Sequence, residues 1–161
     1  MDKWNKTQVM KRRLGLIGTE LYKGRPPTCR DSPIDGTVYL GQGQREAIVV
    51  DFKKDHKLRG LYERVKDESL ENGVFKKGRI LGAVYQAVKE SMPRQDYEAV
   101  KEIIHKYGVQ EDGKVLLGLF IREGVGVCRH DALACAALLE RFKEEGIVKG
   151  RASLDRNSNY L

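Results

Sequence analysis

Apolar residues recur every three or four positions between residues 55 and 108, which is the period of an amphipathic helix. The pattern is interrupted at Gly73 and at Pro93, and it ends at Gly108. We therefore predict three successive helices within DHKLRGLYERVKDESLENG, KGRILGAVYQAVKESMP and DYEAVKEIIHKYG.

A fourth helix is predicted from composition rather than from periodicity. The stretch VCRHDALACAALLERFKEEG is rich in alanine and leucine, which have high helix propensity, and Gly146 supplies a C-terminal stop. We predict that this helix begins at Val127 or Cys128 and runs to about Glu145. Its apolar face should be buried along Leu133, Ala136, Ala137 and Leu138.

Short runs of β-branched and aromatic residues predict strands on both sides of the helices. TVYL and REAIVVDF, separated by GQGQ, predict a hairpin or two short strands. KVLLGLFI fits a buried strand or a short helix equally well, and IVKGRASLDR predicts a strand after the last helix. The element order predicts an α+β domain with a small sheet.

The first 36 residues differ in character from the rest of the chain. An amphipathic pattern around Trp4 to Leu16 predicts one helix, and residues 23–36 contain three of the four prolines and predict an irregular linker. We assign residues 1–36 to an N-terminal extension with a linker, and residues 37–161 to a single folded domain.

Composition limits the broad class of protein. The chain has 161 residues, of which 40% are hydrophobic and 33% charged, as in a folded globular domain. No stretch approaches the ~18 apolar residues of a membrane span, and no secretory signal is visible. Three cysteines, an odd number, argue against a disulfide framework. We expect a cytoplasmic protein that does not enter a membrane.

The net charge of +7 could favour an anionic partner. However, the basic residues are interleaved with acidic ones, and no aromatic-flanked basic cluster offers a platform for bases. We interpret the excess as a solvated basic surface and do not predict a nucleic-acid partner.

Cys128 is the candidate nucleophile. It follows a Gly-Val-Gly run at the mouth of the predicted fourth helix, and a helix N-terminus stabilises a thiolate. The free N–H groups there can also hold an oxyanion, and Gly124 and Gly126 would let a substrate approach the backbone. The alternative is a small buried hydrophobic residue at a helix start.

The other cysteines and histidines are weaker candidates for a catalytic or metal-binding role. Cys135 lies among alanines inside the predicted helix and is interpreted as a packing residue, and Cys29 has no local partner. His105 lies beside an apolar stripe, and no Cys, Asp or Glu stands at a metal-ligand spacing from it. The side chains of Cys128 and His130 diverge by about 200° on a helix, so we predict no metal site there. We also predict no cofactor.

The segment GVGVCRHDALACAALLERFKEEGIVKGRASLDRN resembles the nucleophile region of the transglutaminase-like branch of the papain-like cysteine enzymes. Bacterial domains of that branch, and the related N-terminal domain of plant ethylene-response-type kinases, share its Gly-Val-Cys-Arg-His motif and Ala/Leu-rich helix. The upstream segments DYEAVKEIIHKYGV and LLGLFIREG are also similar, so the resemblance covers about residues 55–157.

The resemblance implies a papain-like fold, in which a central buried helix carries the cysteine beside a small antiparallel sheet that could be incomplete. In such enzymes the cysteine attacks an acyl group, a histidine on a following strand acts as base, and an Asp or Asn orients that histidine. The resemblance thus makes Cys128 the nucleophile and a peptide or protein the substrate. It gives supporting or structural roles to Gly126, Arg129, His130 and Asp155.

The family's base is the feature that this sequence does not supply. His130 is the only histidine after Cys128, and its place in the motif implies a structural role, while His56 and His105 precede the cysteine. Three explanations stay open: a fragment cut before its base, a degenerate relative, or a histidine recruited from elsewhere, including another chain. We expect a domain truncated at its C-terminus or degenerate.

Two functions follow from these expectations. The first is a thiol-dependent acyl-transfer domain, whether peptidase, amidase or transglutaminase-like, that is incomplete or inactive as this chain. The alternative is a non-catalytic peptide- or protein-binding domain of the same fold. No motif identifies the substrate or an oligomeric state.

Overall fold

The computed structural model describes residues 21–29, 32–41, 46–108 and 113–154. Three features of the sequence lie outside the described residues: the predicted helix around Trp4 to Leu16, most of the GQGQ turn, and Asp155. Within the described part the architecture is mixed α and β, which confirms the α+β class. Its helices are α1 (His56–Glu68), α2 (Lys77–Ser91), α3 (Tyr97–Gly108), α4 (Leu117–Glu123) and α5 (Cys128–Glu144).

The three predicted amphipathic helices are confirmed as α1, α2 and α3. In α1 the marked apolar stripe is buried, at Leu58, Leu61, Tyr62 and Val65. In α2 the stripe is buried except at Leu81, which is 47% exposed. The predicted stop at Gly73 is wrong, because α1 already ends at Glu68. Asn72 and Gly73, both with positive φ, instead turn a hairpin between β3 (Leu70–Glu71) and β4 (Val74–Phe75).

The Ala/Leu-rich helix is confirmed in its bounds and in its buried face. It starts at Cys128, ends at Glu144, and buries Leu133, Ala136, Ala137 and Leu138. Near its C-terminal end Phe142 packs edge-on against Tyr62 of α1, with ring centroids 4.9 Å apart. The helix is therefore anchored in the main hydrophobic core.

The sheet is mixed, so the expected antiparallel sheet is wrong. β1 (Val38–Leu40) pairs antiparallel with β2 (Ala47–Val49), but β2 pairs parallel with β6 (Val115–Leu116). The parallel pairing is possible because the chain between β2 and β6 crosses over through α1, α2 and α3. A second parallel pair joins β5 (Arg94–Gln95) to β7 (Val125–Gly126), just before α5.

The ambiguous run KVLLGLFI contains both of the elements that it could form. Val115 and Leu116 form β6, and the helix α4 follows at once. It ends at Glu123 and is capped by Gly124, which has φ +68°. Asp55 connects this region to α1: its carboxylate caps α1 through the Leu58 N–H and also accepts the Gly118 N–H at 2.7 Å.

The strand predicted after α5 is wrong for its described part, residues 147–154, which are irregular. The helix ends in a Schellman motif: Gly146 has φ +75°, its N–H bonds to Lys143, and the Ile147 N–H bonds to Phe142 at 3.0 Å. The first backbone donors of the expected strand are thereby used to close the helix.

Part of the proline-rich segment packs against α5. Ile34 is fully buried in the main core, and the N–H groups of Ile34 and Asp35 donate to the Glu140 carboxylate at 2.8 and 2.9 Å. Asp35 in turn accepts the Phe52 N–H at 2.9 Å. This irregular segment thus connects the end of β2 to α5.

Across the described ranges, no helix combines the length and the apolar character that crossing a bilayer requires.

Candidate functional site

Cys128 is the first residue of α5, and its side chain is exposed. The chain reaches it from β7, which is held in place because the Arg94 and Asp96 N–H groups donate to the carbonyls of Gly124 and Gly126. Val127 is the buried N-cap residue. A rigid, buried helix therefore presents an exposed thiol at its N-terminus.

The fold explains why glycine occupies positions 124 and 126, before the cysteine. A Cβ on Gly126 would lie 3.0 Å from the Met92 Sδ atom and 3.2 Å from the His130 Cβ atom. Gly124 has the left-handed backbone that ends α4. The structure thus accounts for both glycines by packing and backbone conformation, where the sequence suggested access for a substrate.

The first turn of α5 leaves backbone donors free beside the thiol. The N–H groups of His130 and Asp131 both donate to the Val127 carbonyl. Among the described residues, the N–H groups of Cys128 and Arg129 have no acceptor, as is usual for the first turn of a helix. Such donors can stabilise an oxyanion that forms next to the sulfur.

The thiol opens into a groove of about 250 Å³ between α2 and α5. The α5 side presents residues spaced by three or four positions, so they share one helix face. Lys89 spans the groove and contacts the Asp131 carboxylate at 2.7 Å. The lining residues are Tyr85, Val88 and Lys89 from α2, and Cys128, Asp131, Ala132 and Cys135 from α5.

Cys135 lies in the same groove but in a different environment. Its side chain is half-buried, and burial raises the pKa of its thiol, with a further contribution from the Asp131 charge. The raised pKa disfavours the thiolate, which is the nucleophilic form. The two thiols of α5 therefore form a matched pair, one exposed and one shielded.

The Arg-His part of the motif binds a carboxylate that the sequence analysis missed. Glu46, just before β2, is only 4% exposed; it forms an ion pair with Arg129 and its Oε1 lies 2.6 Å from the His130 Nε2. We call these three residues the Glu46 clamp. Burial by itself would raise the pKa of Glu46, but His130 and Arg129 outweigh it and lower the pKa below its ordinary value.

His130 is held on both ring nitrogens. Its Nδ1 accepts the Val127 N–H at 3.1 Å, which places the ring proton on Nε2, facing Glu46. The contact with Glu46 is electrostatic, since the two atoms are close without the alignment of a hydrogen bond. The ring is fully buried against Phe120, with centroids 4.3 Å apart. Both ring nitrogens therefore face other parts of the fold, and His130 does not line the groove.

The remaining candidates are not brought to the groove. His56 and His105 are exposed and do not line it, and His56 contacts Arg59 of its own helix. In the part of the chain that the structure describes, no group of three or more His, Cys, Asp or Glu side chains could hold a metal ion. The site thus consists of Cys128, free backbone donors and a mainly apolar groove that also contains the Lys89–Asp131 pair.

In comparisons with known proteins, no family model, no curated sequence and no solved structure matches this chain.

Proposed function

We propose that this chain is a thiol-dependent acyl-transfer domain with a papain-like fold over residues 37–161, in which Cys128 is the nucleophile. The observation that carries the proposal is the position of Cys128: an exposed thiol on the first residue of a buried helix, beside free N–H groups and above an open groove. The resemblance of its Gly-Val-Cys-Arg-His motif to transglutaminase-like enzymes supports the same role and a peptide or protein substrate.

The chemistry follows from these groups. The Cys128 thiol passes its proton to solvent and reacts as the thiolate. The sulfur attacks the carbonyl carbon of the acyl donor and forms a C–S bond, while the N–H groups of Cys128 and Arg129 hold the oxyanion. The bond to the leaving group then breaks, and the electron pair departs with that group, leaving a thioester.

The groups around the thioester determine what happens next. Deacylation requires water or an amine to lose a proton as it attacks, and none of the described groove residues is a histidine. The one carboxylate among them, Asp131, is paired with Lys89 at 2.7 Å. The thioester should therefore persist on this chain. A strong nucleophile that needs no base, such as hydroxylamine, should release it as a hydroxamate.

The second candidate function is a non-catalytic peptide- or protein-binding domain of the same fold. Two observations favour it: His130 is fully engaged in the Glu46 clamp, and Tyr85 presents a 60% exposed aromatic ring at the edge of the groove. This candidate predicts that Cys128 has no special reactivity toward acyl donors.

The test uses p-nitrophenyl acetate, which reports each acylation by releasing p-nitrophenolate. We expect a burst of about one equivalent from the unmodified chain and from Cys135→Ser, and no burst from Cys128→Ser. The Cys135→Ser variant is the matched control, because it removes the other thiol of the same groove. Equal bursts from all three chains, or none from any, would contradict the proposal, and the absence of any burst would favour the binding domain.

A further inference from the structure

The residues on both sides of Cys128 are held by one buried carboxylate. Arg129, the next residue, forms an ion pair with Glu46, and His130 approaches the other oxygen of the same group at 2.6 Å. On the preceding side, the Val127 N–H donates to the His130 ring. The backbone at Cys128 is thus fixed from both directions through the Glu46 clamp.

Glu46 is itself firmly placed. Its carbonyl accepts the Gly41 N–H at 2.8 Å, which closes the β1–β2 hairpin, and its side chain is 4% exposed. A Cβ on Gly41 would lie 3.1 Å from the Glu46 Cβ atom, so the glycine leaves room for the side chain. The clamp therefore connects the sheet to the start of α5 across 83 positions of sequence.

We infer that Glu46 is a positioning residue, which acts through Arg129 and His130 to hold the Cys128 thiol and its neighbouring N–H groups in the orientation for attack. This inference rests on the proposed function for its consequence in catalysis. It goes beyond that proposal because it assigns a role to a residue that lies just before β2 and does not line the groove.

The position of Cys128 on its helix makes the orientation of its thiol depend on its neighbours. Cys128 is the first residue of its helix, and helix ends fray most easily. Its own side chain is exposed. Without Glu46, the first turn of α5 would keep the Val127 carbonyl contacts, the Val127 N–H bond to His130 and the Asp131–Lys89 ion pair. It would lose the carboxylate that holds the Arg129 side chain and the second ring nitrogen of His130. A displacement of the sulfur by about 1 Å can cost up to about a hundredfold in rate, since the attack depends on alignment.

The test compares Glu46→Ala and Glu46→Gln with the matched control Asp51→Asn. Asp51 is also a buried carboxylate, and it pairs with Arg25 at 2.7 Å, away from the groove. All variants are assayed well below their thermal midpoints for the rate of Cys128 acylation by p-nitrophenyl acetate. Iodoacetamide alkylation of Cys128 relative to Cys135 is measured on the same samples.

We expect Glu46→Ala to slow acylation by about tenfold or more, and Glu46→Gln to restore part of that loss, because the amide keeps the shape and one acceptor. Asp51→Asn should stay within about twofold of the unmodified chain even though it is destabilised. Rates for Glu46→Ala and Glu46→Gln that match the Asp51→Asn rate would overturn the inference.

The alkylation ratio separates this inference from the proposed function. If the unmodified chain is not acylated at all, the proposed function fails, and the inference is then decided by the ratio alone. A change in the Cys128-to-Cys135 ratio of about threefold or more in Glu46→Ala, absent in Asp51→Asn, would support positioning by Glu46. An unchanged ratio would overturn it.

Discussion

Replacing His130 by alanine tests whether this histidine holds the fold or serves as a base. The substitution removes the acceptor of the buried Val127 N–H, which costs about 1–3 kcal/mol in the free energy of unfolding. It also removes a fully buried ring from Phe120, and the void adds about 2 kcal/mol. In this variant the Glu46 carboxylate keeps only Arg129 as a partner in the clamp. We therefore expect a total loss of about 3–5 kcal/mol.

The assay is urea denaturation followed by far-ultraviolet circular dichroism, with His130→Gln and His105→Ala alongside. Glutamine at the third helical position can accept the N-cap N–H, so His130→Gln should lose only about 1–2 kcal/mol. His105 is exposed, so His105→Ala should stay within about 0.5 kcal/mol of the unmodified chain. A loss under about 1 kcal/mol in His130→Ala would contradict a structural role for His130. So would a His130→Gln variant that keeps its stability but is acylated about a hundredfold more slowly, which is the result expected for a general base.

Three further outcomes follow from the same structure. Iodoacetamide should modify Cys128 faster than Cys135 across a pH series read by mass spectrometry, because Cys128 is exposed and burial raises the pKa of Cys135; equal rates would contradict this. Asp55→Ala should lower the free energy of unfolding by about 2–4 kcal/mol, since it removes the α1 cap and the acceptor of the buried Gly118 N–H. A loss near zero in urea denaturation would refute this stabilising role of Asp55. Because the pKa of Glu46 is lowered, its contribution to stability is present above the ordinary pKa and is lost as the pH falls through the lowered value. Acidification should therefore destabilise Glu46→Gln less than it destabilises the unmodified chain. Identical pH dependence of the two stabilities would contradict the clamp.

The helices could be predicted because their determinants are local. The period of apolar residues in α1, α2 and α3, and the alanine and leucine content of α5, reflect burial of one face of each helix. The end of α1 was misplaced because Gly73 stops the pattern equally well as a helix cap or as the turn of a hairpin. Local signals thus gave the elements more reliably than their ends.

The strands were harder to predict, because each of those in the described ranges contains only two or three residues. Such a strand is defined by the partner that pairs with it, and β2 pairs in parallel with β6 only after three helices bring them together. The run after α5 has the composition of a strand, but the Schellman motif at Gly146 uses its first donors.

The position of the candidate nucleophile was predictable from the motif, whereas the clamp that supports it was not. Cys128 stands at the boundary between a Gly-Val-Gly run and an Ala/Leu-rich helix, and this boundary is visible in the sequence. Glu46 stands before a short strand, where an acidic residue is usually solvated. Only the fold places it against Arg129 and His130.

The most direct test of Cys128 as the acyl-accepting nucleophile maps where a limiting amount of p-nitrophenyl acetate places its acetyl group on the unmodified chain. Peptide mass spectrometry before and after hydroxylamine distinguishes a thioester, which is cleaved, from a lysine amide, which is not. We predict hydroxylamine-sensitive acetylation concentrated on Cys128, with little on Cys135 or Cys29. Acetyl groups spread evenly over the three cysteines, or confined to lysines, would contradict it.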